Sequence, residues 1–230
     1  MKHAFATSAL ILAMSTSVFA NANVINGEKG KDQKTLTVTA KIDAPICNFD
    51  LNGGEGLDFG AIEPGSLKLH DIYQLPSKPI SLAVRCDAKT MVQMTVQDTY
   101  LETLRASNTD GLPHGAARQF GLVDASDPAN PKLFGSYTFF LERATSTNKN
   151  GDKQDHGMTV VNVGGVNGIY STKTNESTEQ ATMVFGNGNV YAENIEAVFN
   201  VEASFLPASK LDLGRDVNVV GETTFKMVYM

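Results

Sequence analysis

Apolar and polar positions alternate with a period of two along much of this chain. Across residues 35–43, Leu36, Val38, Ala40 and Ile42 share one face while Thr37, Thr39 and Lys41 take the other, the pattern of a half-buried β-strand. The alternation recurs at Ile80, Leu82, Val84 and Cys86 within 78–86, and at Val92, Met94 and Val96 within 90–97. It is strictest at Ile195, Ala197, Phe199, Val201, Ala203 and Phe205, a run that Pro207 ends. Residues 120–123 and 133–141 also read as strands, and 56–62 as a short one stopped by Pro64 and Gly65. Glycine and asparagine punctuate 160–170 and 185–191, which predicts hairpins there, and the polar stretches 105–118, 124–132 and 144–157 read as loops. No stretch sustains apolar residues at i, i+3, i+4 and i+7 over a helix's length. The fold class these patterns predict is all-β, a sandwich or a barrel.

The final ten residues, 221–230, form another such strand, with Phe225, Met227 and Tyr229 set against Thr224, Lys226 and Val228. It stops where the polypeptide stops. An apolar edge strand with unpaired backbone donors and acceptors aggregates unless another chain covers it, so this end predicts a partner.

The opposite end reads as an export signal. Lys2 and His3 make a short basic start, and 4–14 is apolar but too short to cross a bilayer. Cleavage in the frame Ala20-Asn21-Ala22 leaves a mature chain from Asn23. That chain of about 208 residues suits one large domain, with an extension over 23–42 and a single domain over 43–230. The formal net charge of −6 comes with scattered Lys and Arg, which argues against nucleic acid as a partner because phosphate binding needs a basic face.

Cys47 and Cys86 lie 39 positions apart. An even pair in an exported chain is most simply a disulfide, and closing a loop of that size contributes about 4 kcal/mol on a chain-entropy basis. A metal or redox site is the rival; neither CxxC spacing nor a neighbouring histidine supports it. The remaining chemistry is sparse. His3, His70, His114 and His156 stand far apart, with no GxSxG or HExxH motif beside them. Asn148, Asn150, Asp152 and Asp155 surround Gly151 but lack the spacing and bidentate glutamate of an EF-hand. The glycines of 164–168 and 186–188 lack GxGxxG order. Asn175-Glu176-Ser177 matches a glycosylation sequon. The expectation is a protein without catalysis, metal or cofactor.

Several motifs in order resemble the subunits of chaperone-usher fimbriae: Leu36-Thr-Val-Thr-Ala-Lys-Ile42, Asp43-Ala-Pro-Ile-Cys47, Leu57-Asp-Phe-Gly-Ala-Ile62, the second cysteine at Cys86, and Thr224-Phe-Lys-Met-Val-Tyr229. Phe120-Gly-Leu, Gly135-Ser-Tyr-Thr and Leu206-Pro-Ala-Ser-Lys-Leu-Asp-Leu213 look more closely like a group of uncharacterised exported pilin-like proteins. The resemblance implies an incomplete immunoglobulin-like sandwich whose missing strand is donated, first by a periplasmic chaperone and then by the next subunit. It implies Leu36, Val38, Ala40 and Ile42 as the donor strand, and Phe225, Met227, Tyr229 and Met230 on the strand flanking the groove. The implied partners are the periplasmic chaperone, an outer-membrane usher, neighbouring pilin subunits and a host or surface receptor. The implied location is an extracellular fimbrium reached through the periplasm. The competing expectation is a self-complemented exported sandwich that binds a sugar or host-surface ligand through the enlarged loops of 100–157.

Overall fold

The computed structural model describes residues 35–52, 56–107 and 109–230; the expected export signal and residues 23–34 of the expected extension lie outside the described residues. The chain divides into two compact units, 1–42 and 43–230. In the first, the described residues 35–42 join no ladder. Leu36, Val38 and Ile42 are 87, 82 and 94% exposed. The strand expected over 35–43 is therefore not formed, since alternation specifies a face but only a neighbouring strand supplies backbone partners.

The second unit is all-β and is organised by one long strand. β1 (Cys47–Asn52) is followed by β2 (Tyr73–Gln74) and then by β3, which runs unbroken from Lys78 to Asp98. The two strands expected at 78–86 and 90–97 are thus one, of 21 residues. Its core-facing residues keep the same parity throughout: Ile80, Leu82 and Val84 in the first half, Val92, Met94 and Val96 in the second, all buried. Between the halves, residues 86–89 have no partner on β10 (Tyr191–Phe205), whose ladder passes from Ala192↔Thr90 to Asn194↔Arg85. This irregularity lets β3 curl around the core.

Along its first half β3 pairs with β1 and β10, and along its second with β9 (Thr182–Phe185) and β12 (Thr223–Tyr229). β10 continues the sheet to β5 (Lys132–Thr147), then β4 (Phe120–Asp124) and β11 (Val219–Val220), while β9 continues it to β7 (Met158–Val160) and β8 (Gly164–Val166). The two arms face each other. Phe139 of β5 meets Phe225 of β12 edge to face at 5.7 Å, and Phe120, Tyr137 and Phe139 stack beneath within 5.1 to 5.5 Å.

The segment 100–157 is more ordered than its polarity predicts. α1 (Leu101–Ala106) lies on β4 and β5, and Leu104, Leu112, Val123, Leu133 and Leu206 form a second small core there. This explains why 133–139 is buried without alternation: both faces of β5 are covered. The loop expected at 144–157 is a hairpin of β5 with β6 (Lys153–His156). Conversely, 56–62 forms no strand, although Leu57 and Phe59 pack on the main core. Among the described residues no helix is long and apolar enough to cross a membrane.

Candidate functional site

The two cysteines form a disulfide that joins neighbouring strands, Cys47 of β1 and Cys86 of β3, with Cα atoms 4.0 Å apart. That separation belongs to the close, non-hydrogen-bonded type of antiparallel pair. The backbone accordingly bonds at the adjacent position, where Asp87 N–H donates to the Ile46 carbonyl at 3.0 Å. The Asp87 carboxylate also accepts from Ile46 N–H at 2.9 Å. Alternation along the ladder then turns the backbone groups of Asn48, Asp50 and Asn52 toward β3 and those of Cys47, Phe49 and Leu51 away from it.

β12 repeats this arrangement. Met230 and Met91 exchange both backbone bonds, at 2.8 and 2.9 Å, and Thr99 N–H donates to the Glu222 carbonyl at 3.0 Å. By the same alternation Thr223, Phe225, Met227 and Tyr229 present their N–H and C=O groups to the outer edge. Among the described residues no strand pairs with the outer edge of β12 or of β1.

Asp87, Met91 and Thr99 are all odd-numbered and use the same edge of β3, so β12 and β1 lie in line along it. β12 ends opposite Met91 and β1 is entered opposite Asp87, leaving only Ala88, Lys89 and Thr90 between. Both strands run antiparallel to β3. The result is an open edge many residues long, bordered by side chains that point inward yet are only half-buried: Phe225, Met227 and Tyr229 on β12, and Cys47, Phe49 and Leu51 on β1. Core-facing residues of the interior strands β3, β9 and β10 are almost fully buried. The difference is what a missing neighbour produces: the row faces the core but lacks cover on one side. Desolvation on this row pushes the Tyr229 phenol up from its ordinary value.

The start of β12 is fixed by polar contacts. Tyr137 Oη and Thr223 Oγ1 share a hydrogen bond. Close by, the buried Asp98 accepts from Tyr100 N–H at 3.0 Å and Gly121 N–H at 2.8 Å, while burial pushes its carboxyl up to about 6 against those two bonds.

The proposed donor residues Leu36, Val38 and Ile42 are exposed, as is Ala40. They belong to the first unit, whereas Phe225, Met227, Tyr229 and Met230 belong to the second. Sequence reasoning found β12 but missed β1 as its continuation, because nothing in the alternation of Cys47, Phe49 and Leu51 reveals that their strand lies end to end with the chain's last.

His114 and His156 sit in separate surroundings. His114 lies 3.7 Å from Glu202 and packs edge-on against Phe140, with burial and the nearby Arg118 charge lowering its pKa. His156 Nε2 lies 2.7 Å from Ser146 Oγ. Among the described residues no group of three or more His, Cys, Asp or Glu side chains is placed to hold a metal. The acidic turn around Gly151 is closed by its own bonds, with Asn148 Oδ1 accepting from Asn150 and Asp152 N–H. Asn175 of the sequon is likewise engaged, its Oδ1 accepting from Ala117 N–H at 2.9 Å and its carbonyl from Arg105 at 2.5 Å.

Residues 36–130 match a family described only as a protein of unknown function, DUF1120. That stretch carries β1, β3, α1 and β4 but not β12. The chain is also similar to the uncharacterized protein YhcF of Escherichia coli (strain K12), at 22% identity over 135 residues, which cover 53% of this chain and 56% of that protein. The chain thus spans about half the length of the curated relative it matches.

Proposed function

We propose that this chain is a structural fimbrial subunit, an incomplete immunoglobulin-like sandwich assembled on the chaperone-usher pathway by donation of a β-strand between subunits. The observation that carries the reading is the open edge of β12 and β1. Its backbone groups and its half-buried side chains belong to the same residues, so one added strand would satisfy both at once. The exposed alternation at Leu36, Val38, Ala40 and Ile42 offers such a strand in a second copy. A ladder of backbone bonds together with two or three apolar side chains, each stabilising by roughly 1.5 to 3 kcal/mol when buried, is enough to decide whether a marginal domain stays folded. In this reading the subunit passes through the periplasm to an extracellular fimbrium, its partners are a periplasmic chaperone, an usher and other subunits, and it performs no catalysis.

The test is thermal unfolding of the mature chain lacking the residues before Ile42, with and without a synthetic peptide of residues 31–42. The native peptide should raise the melting temperature by several degrees, and a Val38→Asp peptide should not. A truncated domain that is already stable and indifferent to both peptides would rule out the donated strand and favour a self-complemented binding module.

A further inference from the structure

We propose that the arch 113–116 is an acid-released latch on the face of β5 and β10 turned away from the main core, with His114 as the group that releases it. None of its residues belongs to β1 or β12, so the inference does not rest on the assembly reading.

The arch hangs between two firm anchors. Leu112 is buried in the small core under α1. Ala117 N–H donates to Asn175 Oδ1 at 2.9 Å, and the Ala117 carbonyl accepts from Ser171 N–H at 2.8 Å and from Ser171 Oγ at 3.1 Å. Between these anchors the arch reaches the sheet through His114. Its ring packs edge-on against Phe140 of β5 at 4.8 Å, and its Nε2 lies 3.7 Å from Glu202 of β10. Phe140 and Glu202 are the neighbours of Thr138 on that face, one two residues along β5 and the other directly across the ladder. The imidazole therefore closes over Thr138, which is 2% exposed and whose Oγ1 has no hydrogen-bond partner.

The closed arch is only marginally favoured. Gln119 Nε2 ties it down by donating to the Pro113 and His114 carbonyls at 3.0 Å. Against that, His114 takes a left-handed backbone, φ 72°, which residues other than glycine seldom adopt. Thr138 Oγ1, Gln119 Oε1, Arg118 Nε and Arg118 Nη2 are all buried without partners, groups that water can satisfy once the arch lifts.

The charges around His114 set the direction of the response. The Arg118 guanidinium lies over the same Phe140 ring at 4.5 Å. On β5, Glu142 is turned to Asn200 and Arg143, which leaves Glu202 as the carboxylate facing the imidazole. Burial and the Arg118 charge outweigh Glu202, so the His114 pKa is lowered from its ordinary 6.5. The closed form is thus favoured while the ring is neutral, above about pH 6.5, and loses that advantage as pH falls through the lowered value. The protonated ring then moves to water, uncovering Phe140 and Thr138.

The test is hydrogen exchange read by mass spectrometry on the full mature chain at pH 7 and pH 5, corrected for the intrinsic pH dependence of exchange. The reporters are the Arg118 and Gln119 amides, which donate to the Gly115 and Ala116 carbonyls at 2.9 and 3.4 Å. Their protection should fall several-fold on acidification while that of β3 and β10 holds. His114→Asn tolerates a left-handed backbone and carries no charge, and should abolish the pH dependence. Glu202→Gln removes the carboxylate that favours the charged ring, and should enlarge it. Protection indifferent to pH, a fall shared equally by β3 and β10, a fall that persists in His114→Asn, or one not enlarged in Glu202→Gln would overturn the proposal. Should His114→Asn fail to fold, Glu202→Gln decides alone.

Discussion

Asp98 shows how a single side chain couples the polar interior to the last strand. It is the residue of β3 paired with Thr223, the first of β12, and its two oxygens hold Tyr100 and Gly121. Because its folded pKa, about 6, stands above the ordinary carboxyl value of 3.8, the folded state binds this proton more tightly than the unfolded chain. The stabilisation is fully present below about pH 4 and is lost as pH rises through about 6, amounting to about 3 kcal/mol. His114 and His156, whose pKa values are lowered, act in the opposite sense as pH falls. They are common to the wild type and Asp98→Asn, so the difference between the two proteins isolates Asp98. Denaturant titrations at pH 7 and pH 5 should show the wild type gaining stability, relative to the variant, on acidification. At this scale the sequence was legible only where chemistry is self-announcing, as with the paired cysteines. The tethers made by Asp98, Arg105 and Asn175 were not, because, Tyr100 apart, their partners lie 23 to 72 positions away.

At the scale of elements, periodicity located most strands but could not say what each would pair with. Residues 35–43 and 56–62 carry good strand patterns and form no ladder. The polar interval Asp87–Lys89 looked like a break, yet β3 runs through it because the backbone bonds Ile46 and Met230 on either side. The polar hairpin of β5 and β6 escaped notice for the reverse reason: with no face buried, nothing alternates. Close packing between β5 and β10 supplies a sharp test. A Cβ on Gly135 would collide with the Ser204 carbonyl, a backbone atom that cannot swing aside. Gly135→Ala should therefore lose about 2 kcal/mol or more in a denaturant titration, whereas Gly157→Ala, with open space around it, should stay within about 0.5 kcal/mol of the wild type.

On the scale of the whole molecule, the patterns announced an all-β fold with an unprotected terminal strand. They did not reveal the second small core under α1, whose leucines are scattered from Leu104 to Leu206 and meet only after β4, β5 and β10 are assembled. The in-line placement of β12 and β1 carries a consequence for connectivity. Met230 and Ile46 are separated only by the three β3 residues Ala88, Lys89 and Thr90, four residue steps or about 13 Å of extended chain. The natural residues Asp43, Ala44 and Pro45 are the right number to cross that interval. A circular permutant that runs from Met230 directly into Asp43, and is opened instead in the exposed turn between Asn150 and Gly151, should fold with the Cys47–Cys86 bond intact and the circular dichroism of the parent domain. β12 and β1 would then be one uninterrupted strand, and the order in which the polypeptide visits this edge would prove separable from the way the domain is held together.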